Sequence, residues 1–238
     1  MGPILRGLLR RVPAALLGGA ALVAAAQTPS PAQLNSAAAD AQSRVDRAVA
    51  LAARLEHDRS TAALLMRAVG VLLVPDYARV GWISGGQGGA GVLLVRRHGS
   101  WSAPAFYTLG GLALTLPANG DGGPLALFLM TGRAAGEFRE RSSNWRLGAA
   151  TRLTLKAVSG DQVSVSPAAP ADVLVWAARP DLLAGGALGA TALSADRVLD
   201  EAYYQRLAST GEILAGAVGN RGSARLRAVL DARVATNE

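Results

Sequence analysis

The 238-residue chain contains no cysteine. Without a thiol it can form no disulfide, no cysteine-based zinc site, no thiol nucleophile and no amino-terminal lipoprotein anchor. Aromatic residues make up only 5% of the chain, whereas 28 residues are glycine and 50% are hydrophobic. This composition supports a packed core, and it favours closely approaching strands over an aromatic-lined cofactor cavity.

Acidic residues are scarce as well. There are 17 of them against 24 lysines and arginines, which gives a formal net charge of +7, and Lys156 is the one lysine. Between Tyr77 and Gly120 the chain has no aspartate or glutamate at all. Arginine binds phosphates and carboxylates well, although a GC-rich genome would explain the same bias. The gap at 77–120 nevertheless predicts a locally basic surface.

Motifs that would indicate catalysis are missing. The chain has no G-x-S-x-G nucleophile turn, no G-K-S or G-K-T phosphate loop and no H-E-x-x-H zinc motif. His57 and His98 are far apart, and the adjacent pair Asp200-Glu201 cannot face one point from a helix. We therefore predict a protein that is not an enzyme, with no catalytic residues, no metal site and no cofactor. An unrecognised hydrolase built from distant residues stays open as an alternative.

The stretch "GWISGGQGGAG" contains glycines at 86, 88 and 91, which fit the dinucleotide fingerprint G-x-G-x-x-G. That fingerprint requires a helix directly afterwards and an acidic residue about 20 positions further on. Here "VLLVRRHG" follows, a run of strand character, and the acid is absent. We therefore predict no nucleotide cofactor, and we expect the glycines to let adjacent strands bend and pack closely.

The amino terminus has the three parts of an export signal. Arg10 and Arg11 end a basic head, an apolar stretch covers 12–23, and three alanines at 24–26 form a small-residue cleavage site. The alternative is a transmembrane anchor, but about 15 apolar residues are fewer than the roughly 20 that span a bilayer. We predict a signal peptide at 1–26 and a periplasmic location, by either general or twin-arginine export. Export also argues against a nucleic-acid partner.

The remainder predicts a linker at 27–35 and a single domain at 36–235. Within that domain the patterns indicate helices at 36–69, a β-rich core at 70–194 and helices at 195–235. The first helix shows an apolar stripe of Val45, Ala48, Val49, Ala52 and Leu55. Ser60 is expected to cap the next helix, Pro75 to close the first strand, and residues 96–100 to form a hairpin turn. Grouped strands with helices at the ends predict an α+β fold with a strongly curved, mainly antiparallel sheet or partly closed barrel.

Two segments resemble the SYLF-domain family of lipid-binding modules. "AVGVLLVPDYARVGWISGGQGGAGVLLVR" is similar to that family's opening strands, and "GSWSAPAFYTLGG" at 99–111 is the most specific match. The resemblance extends over about 60–230. One departure is "LALTLPANG", where family members usually carry a Gly-Leu-Gln-x-Gly type segment. An export signal also stands where eukaryotic members have a phosphoinositide-binding helix, so phosphoinositide and actin binding are not implied.

The resemblance implies an exported module that binds lipid in the cell envelope, peripheral on a membrane. Arginines beside amphipathic aromatics suit an anionic membrane interface. The residues expected to contact lipid are Arg79, Arg96, Arg97, Trp101, Phe106 and Tyr107. An equally weighted alternative places Trp101 and Phe106 in the core and uses the arginines to cap a hairpin. The alternative function is a periplasmic scaffold that binds an envelope protein or polymer.

Overall fold

The computed structural model describes residues 30–80, 86–110, 122–141, 145–146, 153–158, 171–179 and 192–232. These residues form an α+β fold in which a strongly curled, mainly antiparallel sheet makes a half-barrel with helices at both ends. The fold class predicted from the sequence is therefore confirmed. The signal peptide expected at 1–26 lies outside the described residues and stays a prediction.

Helix α1, Pro31–His57, begins earlier than the expected start at residue 36. The Ser30 hydroxyl accepts a hydrogen bond from the Gln33 backbone, and the Gln33 side chain accepts one from the Ser30 backbone at 2.7 Å. This capping box, together with a proline at the first helical position, starts the helix inside the segment expected to be a linker. The predicted apolar stripe of α1 is confirmed, because all five of its residues are buried.

Helix α2, Arg59–Arg67, is capped by Asp58 and not by the expected Ser60. The Asp58 carboxylate accepts a hydrogen bond from the Thr61 backbone at 2.9 Å. This hydrogen bond from the Thr61 backbone and a further one from the Ser60 backbone hold the pKa of Asp58 below its usual value. Burial works in the opposite direction. A carboxylate also interacts more favourably than a hydroxyl with the positive end of a helix.

The described residues contain nine strands. They are β1 Gly70–Val80, β2 Gly86–Arg97, β3 Ser100–Trp101, β4 Ala105–Gly110, β5 Gly123–Leu129, β6 Trp145–Arg146, β7 Leu155–Val158, β8 Val173–Ala177 and β9 Ala192–Ala195. Their order is β6-β9-β4-β2-β1-β5-β8-β7, and β3 pairs with the end of β2. Among these pairs only β7 and β8 run parallel. Residues 111–121, which fall within the predicted β-rich core, lie outside the described residues.

Strand β1 continues through Pro75, so the prediction that this proline closes the strand is wrong. The register of β1 shifts between Leu73 and Asp76 against β2, and a bulge at that point tolerates a residue with no N–H group to donate. Glycines of β2 lie against this bulge in β1. A Cβ added at Gly91 would lie 2.4 Å from the Leu73 carbonyl oxygen, and one at Gly89 would lie 2.7 Å from Val74. At Gly89 and Gly91 the expected role, close packing of adjacent strands, is confirmed.

The later helices are α3 Gly132–Glu140, α4 Arg197–Tyr204, α5 Thr210–Leu214 and α6 Ala224–Asp231. Helices α4 and α6 pack on α1, whereas α5 packs against α3 and β4. Within the helical segment predicted at 195–235, α4 ends at Tyr204, and Gln205 after it adopts a left-handed conformation with φ 51°. Together with α1 these helices cover the sheet and bury its aromatic residues.

Candidate functional site

The three aromatic residues expected to contact lipid lie in the core. Trp101 is 2% exposed, and Phe106 and Tyr107 are fully buried. The Trp101 indole donates a hydrogen bond to the Leu230 carbonyl at 3.1 Å, which ties β3 to α6. The Tyr107 hydroxyl donates to the Phe138 carbonyl on α3. In this structure all three residues hold helices against the sheet and provide no external surface.

Arg96 is also engaged inside the fold. Its guanidinium lies over the Trp101 ring, 4.7 Å from the ring centre, and donates to the Leu65 carbonyl at 3.2 Å. Burial raises the pKa of the Asp231 carboxyl, and the charge of Arg96 opposes that rise. A cation held over an aromatic ring and against a backbone carbonyl is a structural clamp. Arg96 joins α2 to β3.

The predicted hairpin turn after β2 is confirmed and exposes its tip. His98 and Gly99 both have positive φ, 46° and 84°, as a tight turn between two strands requires. Arg97, just before the turn, is exposed, and its guanidinium donates to the Ala215 carbonyl after α5. Arg79 lies in β1 by its backbone, but its side chain is outside the described residues. Among those of the six expected residues whose side chains are described, Arg97 is therefore the one that is exposed at the surface.

Helix α2 reaches the same end of the sheet as this turn. Its exposed residues are spaced four, three and one apart, and they form one face: Arg59, Ala63, Met66 and Arg67. The contact from Arg96 to the Leu65 carbonyl fixes the last turn of α2 beside the hairpin. Met66 is 40% exposed and is one of three large apolar side chains that are exposed among the described residues. We call Met66, Arg67, Arg97 and His98 the basic corner.

Acidic residues are absent around the basic corner in the sequence. From Arg59 to Gly120 the only acid is Asp76. Asp76 lies six residues along β1 from Gly70, or about 20 Å, and it forms an ion pair with Arg47 at 2.9 Å. Arg67 and Met66 were not among the residues predicted to contact lipid, because the acid-free stretch was counted only from Tyr77. Extending the count past the single Asp76 would have included α2 and its exposed face.

Asp172 is a buried carboxylate outside the basic corner. Burial favours its neutral form, but hydrogen bonds from the Thr154 backbone, Arg133, Thr131 and the Thr154 hydroxyl lower its pKa to about 2. The Thr131 and Thr154 hydroxyls each donate at 2.8 Å. Both carboxylate oxygens are therefore used in joining three segments of the chain. Asp172 is a structural anchor and offers no free base.

Asp200 is a second buried carboxyl group, on α4. One oxygen accepts a hydrogen bond from the Phe106 backbone at 3.0 Å, and the other has no hydrogen-bond partner among the described residues. Burial raises the pKa of Asp200 to about 7, the Phe106 N–H opposes the rise, and the charge of Asp196 adds to it. Because the side chain is fully buried, no substrate reaches it in this conformation.

Comparison of the chain with protein-family models, curated proteins and solved structures finds no match. None of the described helices is both long and apolar enough to cross a bilayer. Within the described ranges, no three histidines or carboxylates are grouped so that they could bind a metal ion. The geometry that remains for a functional argument is the basic corner.

Proposed function

We propose that the protein is an exported SYLF-type module that binds anionic lipid surfaces through its basic corner. The observation that carries this proposal is the exposure of Met66 and Arg67 at the end of α2 and of Arg97 in the turn that Arg96 ties to α2. In the sequence from 59 to 120 the only acid is Asp76, which is ion-paired with Arg47. An apolar side chain can enter the headgroup region while arginines pair with lipid phosphates. The export signal would deliver this surface to the envelope.

The residues proposed here to contact lipid differ from those expected from the sequence. Arg96 and the three aromatic residues support the corner from inside, whereas Arg67 and Arg97 present charge at its surface. Among the described residues Arg67 has no hydrogen-bond or ion-pair partner, so its charge is available to a ligand. The Arg97 guanidinium uses one N–H group on Ala215, which leaves others for a phosphate.

Liposome co-sedimentation tests the proposal. Residues 27–238, the form expected after signal cleavage, are mixed with phosphatidylglycerol-containing or pure phosphatidylcholine vesicles. We expect binding to the anionic vesicles only, and we expect it to weaken with salt because exposed charges are screened. Each arginine near an anionic surface contributes about 1 kcal/mol. The double variant Arg67→Gln, Arg97→Gln should therefore bind about thirtyfold less tightly at low salt.

The matched control is Arg47→Gln, Lys156→Gln, which removes the same charge from other exposed sites. Arg47 is paired with Asp76, about 20 Å along β1 from Gly70. Lys156 lies on the edge strand β7, three strands from β1. The control should bind as the parent does, and all forms should show the same circular dichroism. Equal losses in both double variants, or parent binding to neither vesicle, would refute the proposal.

A further inference from the structure

A groove of about 360 Å³ lies between the first turns of α1 and the last turns of α4. Pro31, Leu34 and Ala38 line it from α1, and Ala202 lines it from α4. The three α1 residues recur at helical spacing, so α1 presents one continuous apolar strip, whereas Ala202 is surrounded by Glu201, Gln205 and Arg206. The groove lies at the amino-terminal end of α1, whereas α2, which carries Met66 and Arg67, follows the carboxyl-terminal end of that helix.

Two large apolar side chains stand exposed next to this groove. Val198 is 60% exposed and lies one helical turn before the groove residue Glu201, on the same face of α4. Leu207 is 78% exposed and directly follows Arg206, which lines the groove. The left-handed Gln205 ends α4 and turns the chain. Leu207 thus projects from the edge of an apolar groove and is itself left uncovered.

The charges at the groove are of both signs. Glu201 and Arg206 line it, and neither has an ion-pair partner among the described residues. An acid and a base on one surface, together with a projecting side chain and a groove, make that surface complementary to itself. A twofold axis brings residue i of one copy to residue j of the other and repeats the contact in reverse.

We infer that this surface binds a second copy of the same chain, in a dimer with twofold symmetry. Leu207 of each copy enters the groove of the other, and Glu201 of each copy pairs with Arg206 of the other. Val198 extends the apolar contact along α4. A stable interface covers about 800 Å² on each partner. Because the groove and one face of α4 form a smaller surface than that, we expect a weak dimer that depends on concentration.

Sedimentation velocity over a concentration series of residues 27–238 tests the dimer. The parent should shift from monomer to dimer as concentration rises. Glu201→Arg and Arg206→Glu should each weaken association at least about tenfold, because each places like charges opposite one another in two symmetric contacts. The double variant Glu201→Arg, Arg206→Glu restores both pairs with exchanged signs, and it should dimerise as the parent does.

Leu207→Ser should also give a monomer. Arg59→Glu, at the start of α2 beyond the other end of α1, serves as a charge reversal away from the groove that should leave the dimer intact. Thermal unfolding checks that the monomeric variants are folded. A parent that stays monomeric at every concentration would overturn the inference. So would a dimer that withstands both single reversals, or a double variant that fails to recover, since the groove would then belong to a different occupant.

Discussion

Asp200 shows what burial does to a single carboxyl group in this fold. Its pKa rises from the usual 3.8 to about 7, so the folded chain holds the proton more tightly than the unfolded chain does. A proton bound more tightly by the folded state stabilises that state. The stabilisation is complete below about pH 4, declines as pH rises to about 7, and is gone above that value.

Asp200→Asn should remove this dependence. The amide oxygen can still accept the hydrogen bond from the Phe106 backbone, and the uncharged side chain carries no ionisation cost. We expect the parent to lose stability between about pH 4 and pH 7, and the variant to lose much less. Urea unfolding followed by circular dichroism measures the difference. A variant that matches the parent at both ends of this range would contradict the assigned role of Asp200.

Single residues also show where sequence reasoning stops. The alternative that placed Trp101 and Phe106 in the core agrees with their burial, but the partners of Arg96 could not be predicted. The Leu65 carbonyl is 31 positions away, and no local pattern links an arginine in a hairpin to a carbonyl of a preceding helix. Asp200 was considered only as half of the adjacent pair Asp200-Glu201, and its burial follows from the packing of β4 against α4, which no local pattern shows.

At the scale of elements, the bulge in β1 and the glycines of β2 depend on each other. Gly91→Ala would place a methyl group 2.4 Å from the Leu73 carbonyl, where the neighbour is backbone and cannot turn aside. We expect the free energy of unfolding to fall by about 1–3 kcal/mol, as overpacking in a core does. Chemical unfolding measures this loss.

Gly110→Ala is the matched control, because Gly110 is also a strand glycine but has no atom within 4 Å of an added Cβ. That substitution should be close to neutral or slightly stabilising, since alanine restricts the unfolded chain more than glycine does. Equal effects at the two positions would mean that the close approach of β1 and β2 is not what requires glycine at 91.

Elements with a strong hydrophobic periodicity were predictable from the sequence. Element boundaries that depend on capping residues were less predictable. The stripe of α1 follows from its spacing of three and four, and it is buried as expected. The start of α1 and the cap of α2 depended on which of several capping residues the chain uses, and Ser30 and Asp58 were both overlooked. Pro75 was read as an end because the partner glycines that tolerate a bulge lie on another strand.

At the scale of the whole molecule, Asp200 and Asp172 give stability a maximum in pH. The pKa of Asp172 is lowered from 3.8 to about 2, so its stabilising contacts are fully present above about pH 4 and are lost as pH falls towards 2. The contribution of Asp200 declines on the other side. We therefore expect the urea midpoint of residues 27–238 to peak near about pH 4.

Asp172→Asn separates the two limbs of that profile. It should flatten the acid side and lower stability near neutral pH by about 1–3 kcal/mol, because the donors of Arg133, Thr131 and Thr154 lose a charged acceptor. The limb between about pH 4 and pH 7 should remain, since Asp200 is unchanged. A profile whose acid limb survives in this variant would assign that limb to other carboxyls.

The architecture as a whole was accessible from sequence because grouped strand patterns with flanking helices admit few arrangements. The functional surface was not accessible from the sequence. The basic corner combines α2 with a hairpin that begins some 30 residues later. Charge counts identify a region, but only the folded contacts decide which arginines face outward.

The pairing of β4 with β9 has a consequence for how the molecule is made. Strands β1, β2 and β4 are near neighbours in the chain, whereas Tyr107 on β4 pairs with Ala195, and the helices that cover this region come later still. During synthesis the first strands can pair early, but the outer edge of β4 stays unpaired until β9, in the last fifth of the chain, has been made. Until then its N–H and C=O groups are open to any other extended segment. The nascent protein therefore depends on its carboxyl-terminal segment to end a period of exposure to misassembly.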